Sequence, residues 1–108
     1  MANNFKNYLT PNVGTSDTTV LTGATGAATT IIGFSISNIT ANNITVSAKL
    51  TSGANTCYIV KDATILPGSA LVCVGGDQKL SLAAGDLVKV SASGATSADV
   101  ILSVLEIT

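Results

Sequence analysis

The chain has 108 residues, of which 46% are hydrophobic and only 10% charged, against about 25% charged in an ordinary soluble domain. Five Lys stand against six acidic residues, for a net charge of −1, and there is no Arg, His or Trp. That leaves no imidazole to act as a catalytic base, no Cys/His set for a common zinc site, and no basic cluster to neutralise a phosphate backbone.

In chain order, the stretch from Met1 to Pro11 lacks the apolar core of a secretory signal. Asn3 or Asn4 can act as N-cap, with Phe5, Tyr8 and Leu9 at i, i+3 and i+4 and Pro11 as the stop, so a short helical turn is predicted within an N-terminal arm, residues 1–13. Beyond it the dominant period is 2, rich in β-branched residues, which predicts strands. Thr30-Ile-Ile-Gly-Phe-Ser-Ile36 puts Ile32, Phe34 and Ile36 on one face, with Gly33 marking a bulge or a close approach. In Ile44-Thr-Val-Ser-Ala-Lys-Leu50 the residues Ile44, Val46, Ala48 and Leu50 face inward while Thr45, Ser47 and Lys49 face out. Lys79–Leu82 and Val88–Ala92 repeat this alternation.

Two stretches break it. Ala70–Val74 and Val100–Ile107 are apolar on both faces, which predicts strands covered on one side by a second sheet and on the other by the arm or a neighbouring subunit. Turn signals recur about every 8–12 residues, among them Thr22–Gly26, Ser52–Asn55, Pro67-Gly68 and Ala83–Asp86. The expected fold is an all-β antiparallel sandwich, immunoglobulin-like or jelly-roll-like, of about seven to eight strands. Its organisation is one domain, residues 14–108, preceded by the arm, residues 1–13. A chain of this size buries roughly 65% of its unfolded surface, enough for one core without metal or disulfide. No apolar run reaches the roughly 20 residues of a membrane-spanning helix.

Candidate chemistry is sparse. The carboxylates are Asp17, Asp62, Asp77, Asp86, Asp99 and Glu106, and Asp77 and Asp86 each follow Gly in a turn, where Asp serves backbone geometry. A Ca²⁺ shared by Asp77 and Asp86 lacks EF-hand spacing, so solvated turn residues are the preferred reading. Gly75–Lys79 lacks the spacing of a phosphate-binding loop and leads into a strand, so it reads as a hairpin turn. Cys57 and Cys73 are expected as two buried thiols and not as a disulfide. Asn38-Ile-Thr40 and Asn43-Ile-Thr45 match the glycosylation pattern but read as turn-forming Asn beside strand Thr. No catalytic, cofactor-binding or metal-ligating residue is assigned. The arm holds two of the four aromatics, and aromatic anchors are enriched in the energetic centres of interfaces. Phe5, Tyr8 and Leu9 are therefore the candidate partner contacts.

The N-terminal stretch from Met1-Ala-Asn-Asn-Phe-Lys-Asn-Tyr-Leu-Thr-Pro to Thr15, and the C-terminal third, Val74–Val90 and Ala98–Thr108, resemble small virion structural proteins of tailed bacteriophages, of the cyanophage and marine-phage type. The stretch from Thr51 to Thr64 carries little of this likeness. The resemblance implies a non-enzymatic, all-β virion component, assembled in the cytoplasm of a bacterial host. In size and sandwich character it is similar to capsid decoration (cement) proteins, which bind the major capsid protein and reinforce the head. A neck, tail or baseplate accessory protein, or a receptor-binding tail-fibre module, are the alternatives. An enzyme ranks last. The expected partners are the major capsid protein or other virion proteins and further copies of the chain, with no nucleic acid, membrane, cofactor or small-molecule substrate.

Overall fold

Strands form wherever β-branched residues alternate with Ser, Thr and Lys, because one side chain in two can then be buried while the next stays solvated. A computed structural model describes residues 3–75 and 79–107. Among these residues there are nine strands and no helix: β1 (Asn3–Val13), β2 (Thr18–Thr22), β3 (Ala28–Asn38), β4 (Ile44–Ser52), β5 (Asn55–Ile65), β6 (Ala70–Val74), β7 (Leu80–Leu82), β8 (Leu87–Ala92) and β9 (Ala98–Ile107).

Two antiparallel sheets result, one in the order β1-β9-β3-β6 with β7 also paired to β3, the other in the order β2-β8-β4-β5. The connectivity is that of one long antiparallel ribbon folded over on itself. Its tip is the β4–β5 hairpin, where Ser52 pairs with Asn55 and Gly53 takes φ 60°, a left-handed angle that glycine adopts without steric cost. Behind the tip, β3 runs beside β6 and β7, β2 beside β8, and β1 beside β9. Folding the ribbon brings β9 onto β3 and β8 onto β4, which closes each sheet. This strand order is the jelly roll, a double-sheet solution of the all-β problem.

The core lies between the sheets. Ile31, Phe34, Ile36, Val100, Leu102 and Val104 from the larger sheet meet Val46, Ala48, Val88 and Val90 from the smaller, all essentially inaccessible. Each fully buried aliphatic or aromatic side chain of this size contributes about 1.5–3 kcal/mol. Buried Asn38 fastens the seam: its amide donates to the carbonyls of Asn42 at 2.7 Å and Ile65 at 3.0 Å. Its own carbonyl accepts from the Thr40 backbone N–H at 2.8 Å and hydroxyl at 2.7 Å. Asn38 and Thr40 of the first glycosylation pattern are thus engaged with each other. At Gly23 a side chain would collide with the Ala83 carbonyl oxygen, because the β7–β8 turn docks there through Gly23 N–H to Asp86 O at 2.7 Å.

The structure corrects two expectations. The N-terminal segment is strand, not helix: Asn3 to Thr10 pair residue by residue with Ile107 to Val100 of β9. An isolated short helix is marginal in water, whereas this ladder satisfies the backbone against a central strand. Pro11 is accommodated because β1 is an edge strand and the register shifts between Thr10 and Val13. There Asn12 adopts φ 58° and its N–H donates to the Asp99 carboxylate at 2.9 Å. Counting β1, the described strands number nine, eight of them beyond the arm, in keeping with the expected sandwich of about seven to eight. Finally, the register shifts between Ile31 and Gly33. This bulge reverses the phase of β3, so Ile31 joins Phe34 and Ile36 in the core while Ile32 is only half-buried.

Candidate functional site

The outer faces of the two sheets differ in chemistry. On the smaller sheet Thr45, Ser47, Lys49 and Thr51 alternate with the core residues of β4. Lys49 stands opposite Lys89 on β8, a like-charge pair that would be unfavourable alone. Asp17, in the loop before β2, relieves it by ion-pairing with Lys49 at 2.6 Å. That hydrogen bond holds the Asp17 carboxyl below its ordinary value. On β5 the half-exposed Tyr58 ring has the Lys49 ammonium 5.6 Å and the Lys61 ammonium 5.2 Å from its centroid. With two cations over it, this ring is occupied and is not an open stacking platform.

The larger sheet carries the opposite surface. Register pairing places Phe5 beside Leu105, Asn7 beside Ser103 and Leu9 beside Ile101 on the side away from the core, with Val72 two strands further across, paired to Ser35. Phe5 is 73% exposed, Leu9 69%, Val72 66% and Ile101 46%. Among the described strand residues of this face the only charge is Asp99, at one end, where it accepts the Asn12 N–H. Two shallow grooves open on it, one of about 270 Å³ lined by Leu9, Pro11 and Ile101 among others, the other of about 250 Å³ lined by Phe5, Asn7, Ile32 and Ser103 among others. The double-sided apolarity of β9 and β6 thus has one explanation within the chain, the smaller sheet. β1 lies alongside β9 and not over it, so none of the described residues covers the other side.

Of the three candidate contact residues, the strand splits what helical spacing would have aligned. Phe5 and Leu9 point outward together. Tyr8 points inward, where its hydroxyl donates to the Glu106 carboxylate at 2.7 Å and the Lys6 ammonium pairs with the same group at 3.0 Å. Glu106 is buried, and the Tyr8 hydrogen bond, followed by Lys6, holds its carboxyl below the ordinary range. The same hydrogen bonding raises Lys6 and Tyr8. This trio clasps β1 to β9 from the inside. Ile101, Val72 and Leu105 belong to the outward patch although no short motif marks them; only the loss of alternation in their segments pointed to it.

The other described carboxylates are engaged locally. Asp86 is buried and accepts the Ala83 N–H at 2.9 Å within its own turn, and Asp62 sits against the Ser47 hydroxyl. Asp77, the other half of the Ca²⁺ candidate, lies outside the described residues, as does most of the Gly75–Lys79 turn. Among the described residues no three His, Cys, Asp or Glu side chains converge as a metal-binding group. Cys57 and Cys73 are unpaired. The expectation that both are buried holds only in part: Cys57 is exposed near the end of edge strand β5, while burial pushes the half-buried Cys73 thiol up to about 11.

Comparison with family models, curated proteins and solved structures finds no match to this chain.

Proposed function

We propose that this chain is a non-enzymatic structural protein of a tailed-phage virion, of the capsid-decoration type, which binds the major capsid protein and stabilises the head through protein–protein contacts. The observation that carries the reading is the apolar outer face of the β1-β9-β3-β6 sheet, charge-free except at one end. A patch of this kind on a small soluble domain marks a surface to be covered by protein. Desolvating Asn, Ser and Thr around it costs less than desolvating Lys or Glu, which suits repeated subunit contacts. The resemblance of the two chain ends to virion proteins supports the reading, and the jelly roll is a fold that viral capsid domains use, an analogy of fold alone. A lectin-like tail module is less favoured, because Tyr58 is flanked by two ammonium groups.

Counting the chain in purified particles tests this. Hundreds of copies per particle support a decoration role, and about six or twelve move it to a neck, tail or baseplate ring. Absence from particles overturns the reading. Replacing both outward residues, Phe5→Ala with Leu9→Ala, should lower occupancy while leaving the sandwich folded.

A further inference from the structure

We infer that the apolar face of the larger sheet is where a second copy of this chain docks, sheet against sheet about a two-fold axis, so that the assembling unit is a dimer. The inference rests on the reading of this face as a protein-covered surface and names what covers it first.

Three observations favour a copy over a different partner. The first is charge: across Phe5, Asn7, Leu9, Ile101, Ser103 and Leu105 there is no ionised group. Asp99, which lines the Leu9 groove at one end, falls opposite the Ile107 end of a copy related by a two-fold axis at Ser103, so the face can meet itself without like-charge repulsion. The smaller sheet, with Lys49 opposite Lys89, cannot do so as readily.

The second is area. Four strand rows at about 4.8 Å spacing and ten residues at about 3.3 Å rise make a face of roughly 600 Å². Two copies in full overlap then bury about 1,200 Å², the lower bound of stable specific interfaces.

The third is shape. Along β1, Phe5 and the groove lined by Leu9, Pro11 and Ile101 lie two residues to either side of Asn7. A two-fold axis in the plane of contact, crossing the strands at the level of Asn7 and Ser103, lays β1 over its copy in the opposite direction. Phe5 of each protomer then enters the groove of the other. The groove holds about 270 Å³, and a cavity of about 150 Å³ already accepts benzene. At the axis, the Asn7 carbonyl oxygen accepts the Ser103 hydroxyl at 2.8 Å and keeps a second lone pair, so the Asn7 amide of each protomer can donate to the carbonyl oxygen of the other. Such a self-complementary contact is what two-fold symmetry requires.

Sedimentation equilibrium of the purified full chain, from about 1 to 500 μM, tests the inference; a dissociation constant in the micromolar range is expected for an interface of this size. Ile101→Lys and, separately, Leu9→Lys point into solvent in the free chain and should weaken the dimer at least tenfold with unchanged circular dichroism. Lys89→Gln on the opposite face should leave it intact. On a Cys57→Ser background, Asn7→Cys should be joined to its copy by a short bismaleimide far more efficiently than Thr45→Cys. A wild-type chain that stays monomeric throughout, or a dimer that survives both Lys substitutions, overturns the inference. A monomer found in particles would sink the dimer and keep the virion role, and a dimer absent from particles would do the reverse.

Discussion

The two outer faces of this sandwich are built by the same alternation and end with opposite surfaces. Beneath both lies one shared core of Ile, Val, Leu and Phe. Outside, the smaller sheet carries Lys49, Lys61, Lys89 and Asp62 around Tyr58, and the larger carries Phe5, Leu9, Val72 and Ile101. Charges gathered on one side keep that side hydrated and leave the other with little charge to desolvate. Where the charges stand matters more here than how few they are.

The largest expected effect separates two residues of one type. Phe34→Ala, on the inner face, should cost about 3–5 kcal/mol through lost burial and the cavity left behind. Phe5→Ala, on the outer face, should change the stability of the free monomer by no more than about 0.5 kcal/mol. Urea unfolding at low protein concentration measures both. Similar losses at the two positions would break the distinction between faces.

Next in size is the seam that makes the two faces sides of one body. Asn38→Ala removes four hydrogen bonds, taking the acceptor from the Thr40 N–H and a buried donor from the Ile65 carbonyl. A loss of about 2–4 kcal/mol is expected, because a buried polar group left without a partner bears its full desolvation cost. Chemical denaturation with an unchanged m-value checks it.

A smaller effect concerns β1, which supplies Phe5 and Leu9 to the apolar face and is clasped from inside by Glu106. The folded Glu106 carboxyl is held below its ordinary value, first by Tyr8 and then by Lys6. Its contribution is therefore complete above the unfolded value of about 4.3 and is lost as the pH falls through the lower folded value. Thermal unfolding across this acid range should show that loss in the wild type and a flatter curve for Glu106→Gln. Asp17, also held low by Lys49, supplies the residual slope, and Asp17→Asn removes it. If Glu106→Gln leaves the acid limb as steep as before, the clasp does not hold β1.

The smallest is Thr29→Val. The Thr29 hydroxyl is buried without a hydrogen-bond partner among the described residues, in the inward row next to Glu106. Replacing it by a methyl group should stabilise the chain by about 0.5–1 kcal/mol, read as a higher denaturation midpoint.

Much of this was legible in the residues. The inward set of β4, the extents of β6 and β8 to within a residue, and the bulge at Gly33 all follow from period-2 patterning with glycine as punctuation. The apolar second faces of β9 and β6 were legible too, as segments wanting cover on both sides. Less so was β1, whose Phe5, Tyr8 and Leu9 fit a helical turn as well as a strand. Spacing alone does not choose between the two when the deciding contact, β9, lies about a hundred residues away. The same register made Tyr8 a clasp and Phe5 a surface residue. Ile32 was misplaced for a related reason, since a bulge announced by glycine does not say which neighbour turns outward.

By itself, then, the sequence determined a sandwich of antiparallel strands, a single core, and a composition with too few charges to dress both sides. Those properties are local: alternation, β-branching and turn residues act within a few positions of one another. The tertiary structure decided which strands became neighbours, and hence that the ribbon folds as a jelly roll and that the charges gather on the smaller sheet. Cross-strand register fixes which side chains share a face, and register is a long-range property that no local pattern contains.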